Sequence, residues 1–273
     1  MKLYCGSAWK PKTINRSIET IPTSTNVCKV ATDCGIGFLK GLGRAGGQAL
    51  ACELVGTELA AWLGLPTLEF SIIDLNNNSS ILLKELEIPF SSGPAFISKQ
   101  LTGLITWDET EKMLEAVHNK SCITGIVIFD TWVMNFDRCG PQAGYHEVNL
   151  DNYAFAPCRR GKIELLAIDH THIFAEGDLW EEIFDPNFSS TDEIYGLHHH
   201  FTPYMYYESA IPYLEKLNNI DENHILNIVK SVPSEWGNTP ARTEKWVNCI
   251  CDRARIVART MPQRIFRQPD LLS

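Results

Sequence analysis

The chain has 273 residues, 44% hydrophobic and 21% charged, with a formal net charge of −9. That composition suits a large buried core, in one domain of two lobes or two small domains. The acidic balance argues against nucleic acid as a default partner. No apolar run reaches the length of a membrane span, and the N-terminal "MKLYCGSAWKPK" lacks a signal-peptide core. The nine cysteines include no CxxC pair, so reduced thiols in a soluble cytoplasmic protein are expected.

Residues 14–40 predict three short strands: "INRSIET", then "VCKVAT" after the polar loop "IPTSTN", then "IGFLK" after the turn "DCG". "GQALACELVGTELAAWL", residues 47–63, has the spacing of an amphipathic helix that Gly64 stops. "PTLEFSIIDL" reads as a strand, "NNNSS" as a turn, "ILLKELEI" as a strand or short helix, and "AFISKQL" as a strand or connector. From about Thr106 the pattern turns helical, with the boundary near residues 92–105. "WDETEKMLEAVHNK" predicts a helix with Asp108 near its positive end. "SCITGIVIFDTWVMN" predicts a buried helix, although its β-branched content leaves a strand open. After the loop "FDRCGPQAGYHEVNLD", the segments "NYAFAP", "CRRG" and "KIELLAID" predict a β-hairpin, and residues 174–267 read as mostly helical. The pattern is α+β: a small sheet with one helix, then a larger helical part.

Three residues stand where elements end. Asp137 follows the apolar run "GIVIFDTWV", Asn152 opens a strand, and Asp169 closes the next. A hairpin brings its outer ends together, so Asn152 and Asp169 should be neighbours. Two oxygen ligands there, with substrate phosphates, suit Mg²⁺. Asp137 beside them is placed to accept a proton from a hydroxyl. Burying an acid costs several kcal/mol unless it is compensated. The candidates for compensating Asp137 are Arg138, or a lysine and metal across the site. Lys40 ends the third strand, and Glu53 follows on the helix. Kinases need a strand lysine for nucleotide phosphates, held by a helix glutamate. Glu58 is the rival partner, but it lies about 140° further round the helix. The loop Thr23, Ser24, Thr25 could cap phosphates with hydroxyls and backbone N–H groups, though it holds no glycine.

In that order, "IGFLK", "ACELVGTELAAWLGLP", "NFDR" and "AIDHTHIF" resemble a HipA-like kinase of the compact type, a distant relative of protein kinases and phosphoinositide kinases. The likeness covers roughly residues 14–175. It implies a two-lobed protein-kinase-like fold, with a small β-rich N-lobe over residues 1–100 and a larger helical C-lobe over 101–273. It also implies ATP and Mg²⁺ as cofactors and a Ser/Thr hydroxyl of a protein as the acceptor. A small-molecule or lipid hydroxyl is the rival acceptor, and a nucleotide-binding pseudokinase is the rival class. An antitoxin-like or other regulatory partner is left open. Carried over, Lys40 contacts the α/β-phosphates, Glu53 orients it, Asp137 is the catalytic base, and Asp169 with an asparagine holds Mg²⁺. The family pattern resembles DRHxxN, with the asparagine about one helical turn after the aspartate. Here Cys139 stands for the histidine and "GPQAGYHEVN" intervenes. Asn152 is assigned as the ligand and Asn149 is the alternative.

Other features carry blander readings. His198–His200 read as a surface or aromatic-packed loop rather than a metal site. His170 and His172 either line the cleft or pack. Tyr204, Tyr206 and Tyr207 read as core or interface. Cys249 and Cys251 should not chelate together, being two apart on a helix. Residues 240–267 carry a net +5 against −14 for the rest, which reads as the solvated face of an amphipathic helix or as a basic patch for an acidic partner.

Overall fold

Strands β1 (Ile14–Ile21), β2 (Val27–Thr32) and β3 (Gly35–Lys40) form an antiparallel meander, and β4 (Phe70–Leu75) and β5 (Gly93–Lys99) complete a sheet of order β1-β2-β3-β5-β4. The computed structural model describes residues 9–23, 25–43, 46–75, 90–141, 148–158 and 161–266. The expected "NNNSS" turn and "ILLKELEI" element lie outside the described residues, as do Ser24 and most of "GPQAGYHE". Alternation sets the face of β2: Cys28 and Val30 are fully buried, while Lys29 and Ala31 point the other way. Gly35 begins β3 at φ +111°, a conformation that a side chain would strain.

Helix α1 (Gly46–Leu63) is not amphipathic as expected. Every residue from Ala49 to Ala60 is buried, Glu53, Thr57 and Glu58 included. The reason is its place between the lobes. A Cβ on Gly47 would come within 2.5 Å of the Trp236 backbone, and one on Gly56 within 2.4 Å of His170 Cβ. Glycine thus lets the C-terminal half press directly on α1. Gly64 ends the helix at φ +101°, and its N–H and that of Leu65 both reach the Ala60 carbonyl.

A second sheet, β6 (Ile105–Thr106), β7 (Tyr153–Pro157) and β8 (Ile163–Ala167), carries the expected hairpin. Helix α2 (Glu111–Ala116) is shorter than expected. Asp108 lies outside it and accepts from the Thr110 N–H and hydroxyl, and Glu109 adopts φ +64°. The Asp108 charge therefore closes a turn instead of meeting a helix dipole. Helix α3 (Ser121–Val133) is buried from Cys122 to Val133, as its sequence predicts. Met134 stops it at φ +49°, and Asn135 then caps the single turn α4 (Phe136–Cys139) by accepting from the Asp137 and Arg138 N–H groups.

Beyond lie α5 (Leu179–Glu182), α6 (Tyr207–Asn218), α7 (Glu222–Lys230) and the long α8 (Pro240–Ile265). Trp132 of α3 donates its indole N–H to the Ile250 carbonyl of α8 at 2.9 Å. The arginines of α8 are largely committed within the chain. Arg253 is fully buried among the carbonyls of Trp132, Thr131 and Thr191, Arg255 pairs with Glu222 and Asp252, and Arg264 pairs with Asp192. That favours the solvated-face reading over a basic patch. Among the described residues, no helix is long and apolar enough to cross a membrane.

His198 is buried against Trp107 and Phe201 and meets the Tyr153 hydroxyl at 3.2 Å. Burial lowers its pKa to about 3, and burial also holds His170 well below the usual value. Both are neutral in the native state, while the unfolded chain binds a proton at each below pH ~6.5. Their contribution is present above that pH and is lost as pH falls. His198 should cost about 2 kcal/mol of stability between pH ~7 and pH ~5, and His170 acts in the same direction. The Tm should therefore drop over that interval, and drop less in His198→Gln. A drop in His198→Gln and in His170→Gln as large as in the wild type would contradict this.

Candidate active site

Lys40 is the last residue of the central strand β3, paired with Phe96 of β5. Its position puts the side chain beneath the sheet, 8% exposed, facing α1. There Nζ donates to Glu53 Oε2 at 2.8 Å and to Asp169 Oδ1 at 3.1 Å. Asp169 follows β8 at φ +55°, a left-handed conformation that aspartate tolerates better than most residues. Its Oδ1 also accepts the Thr171 hydroxyl at 2.8 Å. Glu53 Oε2 takes the His170 N–H at 3.1 Å, so one carboxylate holds both the lysine and the backbone beside Asp169.

The electrostatics follow from this. Burial alone would disfavour the Lys40 ammonium, but the Asp169 and Glu53 carboxylates outweigh it and hold its pKa above the usual value. Burial pushes Glu53 up, against the pull of Lys40. For Asp169 burial is overcome by Lys40 and Thr171, and the carboxyl sits well below the usual range. The Asp169 side chain is 31% exposed and that of Glu53 only 7%, so Asp169 is the carboxylate an incoming ligand reaches.

Asp137 is held by amides. Oδ2 accepts from Asn152 Nδ2 at 2.8 Å, and Oδ1 from Asn149 Nδ2 at 3.2 Å. Asn152 ends a 3-10 turn just before β7, and Asn149 starts that turn with its N–H on the Arg138 carbonyl. Both asparagines therefore reach the site. Arg138 does not compensate Asp137, contrary to one expectation. It points into the core and pairs with Asp130 of α3, while Nε donates to the Asn152 carbonyl and Nη2 to the Ile168 carbonyl at 2.7 Å. Asp130 is the fully buried acid of "GIVIFDTWV", and sequence reasoning passed over it. An acid eight residues before an arginine, alone in an apolar helix, was the available signal. Burial pushes Asp130 up to about 6 against the attraction of Arg138.

These groups line a cleft of about 640 Å³ between the lobes. Ile21, Val27, Phe38 and Phe96 give it an apolar roof, and Asp137 and Asp169 a charged floor. Thr23 lines it, and its hydroxyl lies 3.4 Å from that of the buried Thr25. The third member of that loop, Ser24, is outside the described residues. The oxygen-rich floor, two carboxylates and neighbouring amides, fits the hard donors that Mg²⁺ takes. His170 is fully buried against Phe129 and packs rather than lining the cleft, and His172 is exposed. His199 and His200 stack in the aromatic cluster around Trp107.

Comparison with known proteins places this geometry. The model of the family described as HipA-like kinase matches residues 12–268. No curated protein matches the chain. Among solved structures, it resembles the Helicobacter pylori proinflammatory kinase CtkA, at a TM-score of 0.60 and 14% identity, over 95% of this chain and 97% of that one. At that identity the likeness establishes the two-lobed kinase fold.

Arg138 ties α3, Asn152 and the residue before Asp169 together. Arg138→Met leaves Asp130 buried without its charge partner and should cost about 3–5 kcal/mol in urea unfolding. Adding Asp130→Leu should recover part of the loss. A single mutant within about 1 kcal/mol of wild type would remove Arg138 from this role.

Proposed function

Because this chain belongs to the HipA-like kinase family, we propose that it transfers the γ-phosphoryl group of ATP to a serine or threonine hydroxyl of a protein. The observation that carries this is the convergence of Lys40, Glu53 and Asp169 on one side of the cleft with the amide-held Asp137 on the other. Lys40, kept charged and oriented by Glu53, binds the nucleotide phosphates. The apolar roof takes the base. Asp169 and Asn152 are the donors that would hold Mg²⁺, which neutralises phosphate charge when bound. Asp137 orients the acceptor hydroxyl and receives its proton as the acceptor oxygen bonds to phosphorus and the bond to the β–γ bridging oxygen breaks. With Asn152 Nδ2 turned to Asp137, its Oδ1 is the atom for a cation. Asn149 has the separate task of holding Asp137 in register.

Incubation with ATP and Mg²⁺, read by mass spectrometry of the chain and candidate protein acceptors, tests the reading. Asp169→Asn should abolish transfer. Asp137→Asn should slow it roughly 10²–10⁴-fold with ATP affinity largely kept. Binding without transfer in wild type would replace the kinase with a pseudokinase.

The two asparagines separate kinetically. Asn152→Ala should raise the Mg²⁺ concentration needed for half-maximal rate. Asn149→Ala should lower kcat with that concentration unchanged. The reverse pattern would exchange their roles.

A further inference from the structure

At the turn end of the β7–β8 hairpin, away from the cleft, three different metal-binding side chains converge: His118, Cys158 and Glu164. Their ligand atoms all lie within 4.8 Å of one another, and His118 Nε2 is 3.8 Å from Glu164 Oε1. Among the described residues this is the group of His, Cys, Asp and Glu close enough to share an ion. It is separate from the candidate active site. Glu164 is five residues before Asp169, roughly 15 Å along an extended strand.

The backbone holds the three in place. Val117 bridges Ile163 in parallel, and the His118 N–H donates to the Ile163 carbonyl at 2.9 Å. Asn119 clamps β8 on both sides: Nδ2 donates to the Leu165 carbonyl at 3.1 Å, and Oδ1 accepts the Leu165 N–H at 3.0 Å. The Cys158 N–H donates to the Lys162 carbonyl at 2.7 Å, closing the turn. Glu164 pairs with Ala156 inside the hairpin. A surface His–Glu pair by itself contributes little to stability, which leaves so firm a backbone clamp beside a third ligand to be explained.

We infer that His118, Cys158 and Glu164 form a zinc site with one open coordination position. Imidazole nitrogen, thiolate sulfur and carboxylate oxygen are the donors zinc takes, at about 2.0–2.3 Å. In a tetrahedron those bonds set the donors about 3.3–3.7 Å apart. The present separations, within 4.8 Å, must shorten by about 1 Å for an ion to bridge them. A thiolate selects against Mg²⁺ and Ca²⁺. On binding, the Cys158 thiol loses its proton to solvent and the sulfur bonds the metal, with no change of oxidation state. The ion would staple the segment after α2 to the hairpin whose other end carries Asn152 and Asp169.

Cobalt titration of the full chain, watched by absorption, tests this. One equivalent should give tetrahedral d–d bands and a thiolate-to-cobalt charge-transfer band, both displaced by zinc. Cys158→Ser should lose the charge-transfer band. His118→Gln and Glu164→Gln should each weaken affinity by about tenfold or more. Cys34→Ser, at an exposed thiol outside the cluster, should change nothing. Zinc should raise the Tm of wild type but not of Cys158→Ser, and the metal-free Tm values should agree, showing that the variants fold. The inference is overturned if wild type takes up neither metal stoichiometrically, or if Cys158→Ser keeps the charge-transfer band.

Discussion

The Arg138 guanidinium, fully buried at the foot of the cleft, is the constraint on which the site depends. A buried cation is costly unless its donors are met. Here one fork of donors reaches Asp130 of α3, the Asn152 carbonyl and the Ile168 carbonyl. Those three contacts lie on three chain segments. One is the buried helix that leads into Asp137. The others are the two open ends of the β7–β8 hairpin, next to Asn152 and Asp169. The arginine thus sets the spacing of the residues assigned to proton transfer and metal binding, through backbone carbonyls and not through either ligand side chain. The cation also lies over the Tyr153 ring, 5.4 Å from its centre.

The opposite wall is built on α1. Because that helix is buried on every side, Glu53 has no water to share its charge with, and the Lys40 ammonium becomes its partner. The glycines at 47 and 56 let Trp236 and His170 approach the helix axis, which joins the lobes closely enough for a strand lysine to reach Asp169. Packing and electrostatics are one design here. Replacing Gly56 would push on His170 and so on the segment that presents Asp169.

Much of this was legible in the sequence because the residues sit at element ends. Lys40 closes a strand of alternating pattern, Glu53 follows at helical spacing, and the hairpin brings Asn152 and Asp169 level. Gly64 and the turn at Asp33–Cys34 mark real boundaries. What was not legible is of another kind. Adjacency in sequence makes Arg138 one candidate partner for Asp137, yet adjacent residues of a helical turn point apart, and the arginine turns inward to Asp130. Asp130 reads as a polar interruption of an apolar run because its partner lies eight residues on, in the separate turn α4 that folds back against α3. Asn149 reaches Asp137 through a loop contact to the Arg138 carbonyl, and no periodicity encodes such a contact. The burial of α1 on all faces comes from the second lobe closing over it, beyond the reach of its own 18 residues.

A crystal structure with a non-hydrolysable ATP analogue and Mg²⁺ tests the central claim most directly. The account predicts the metal bridging Asp169 and the Asn152 amide oxygen to the phosphates. Lys40 should leave Asp169 for a phosphate oxygen while keeping Glu53, and Asp137 should face the open space beyond the γ-phosphate. Nucleotide bound elsewhere, or a metal that touches neither Asp169 nor Asn152, would contradict it.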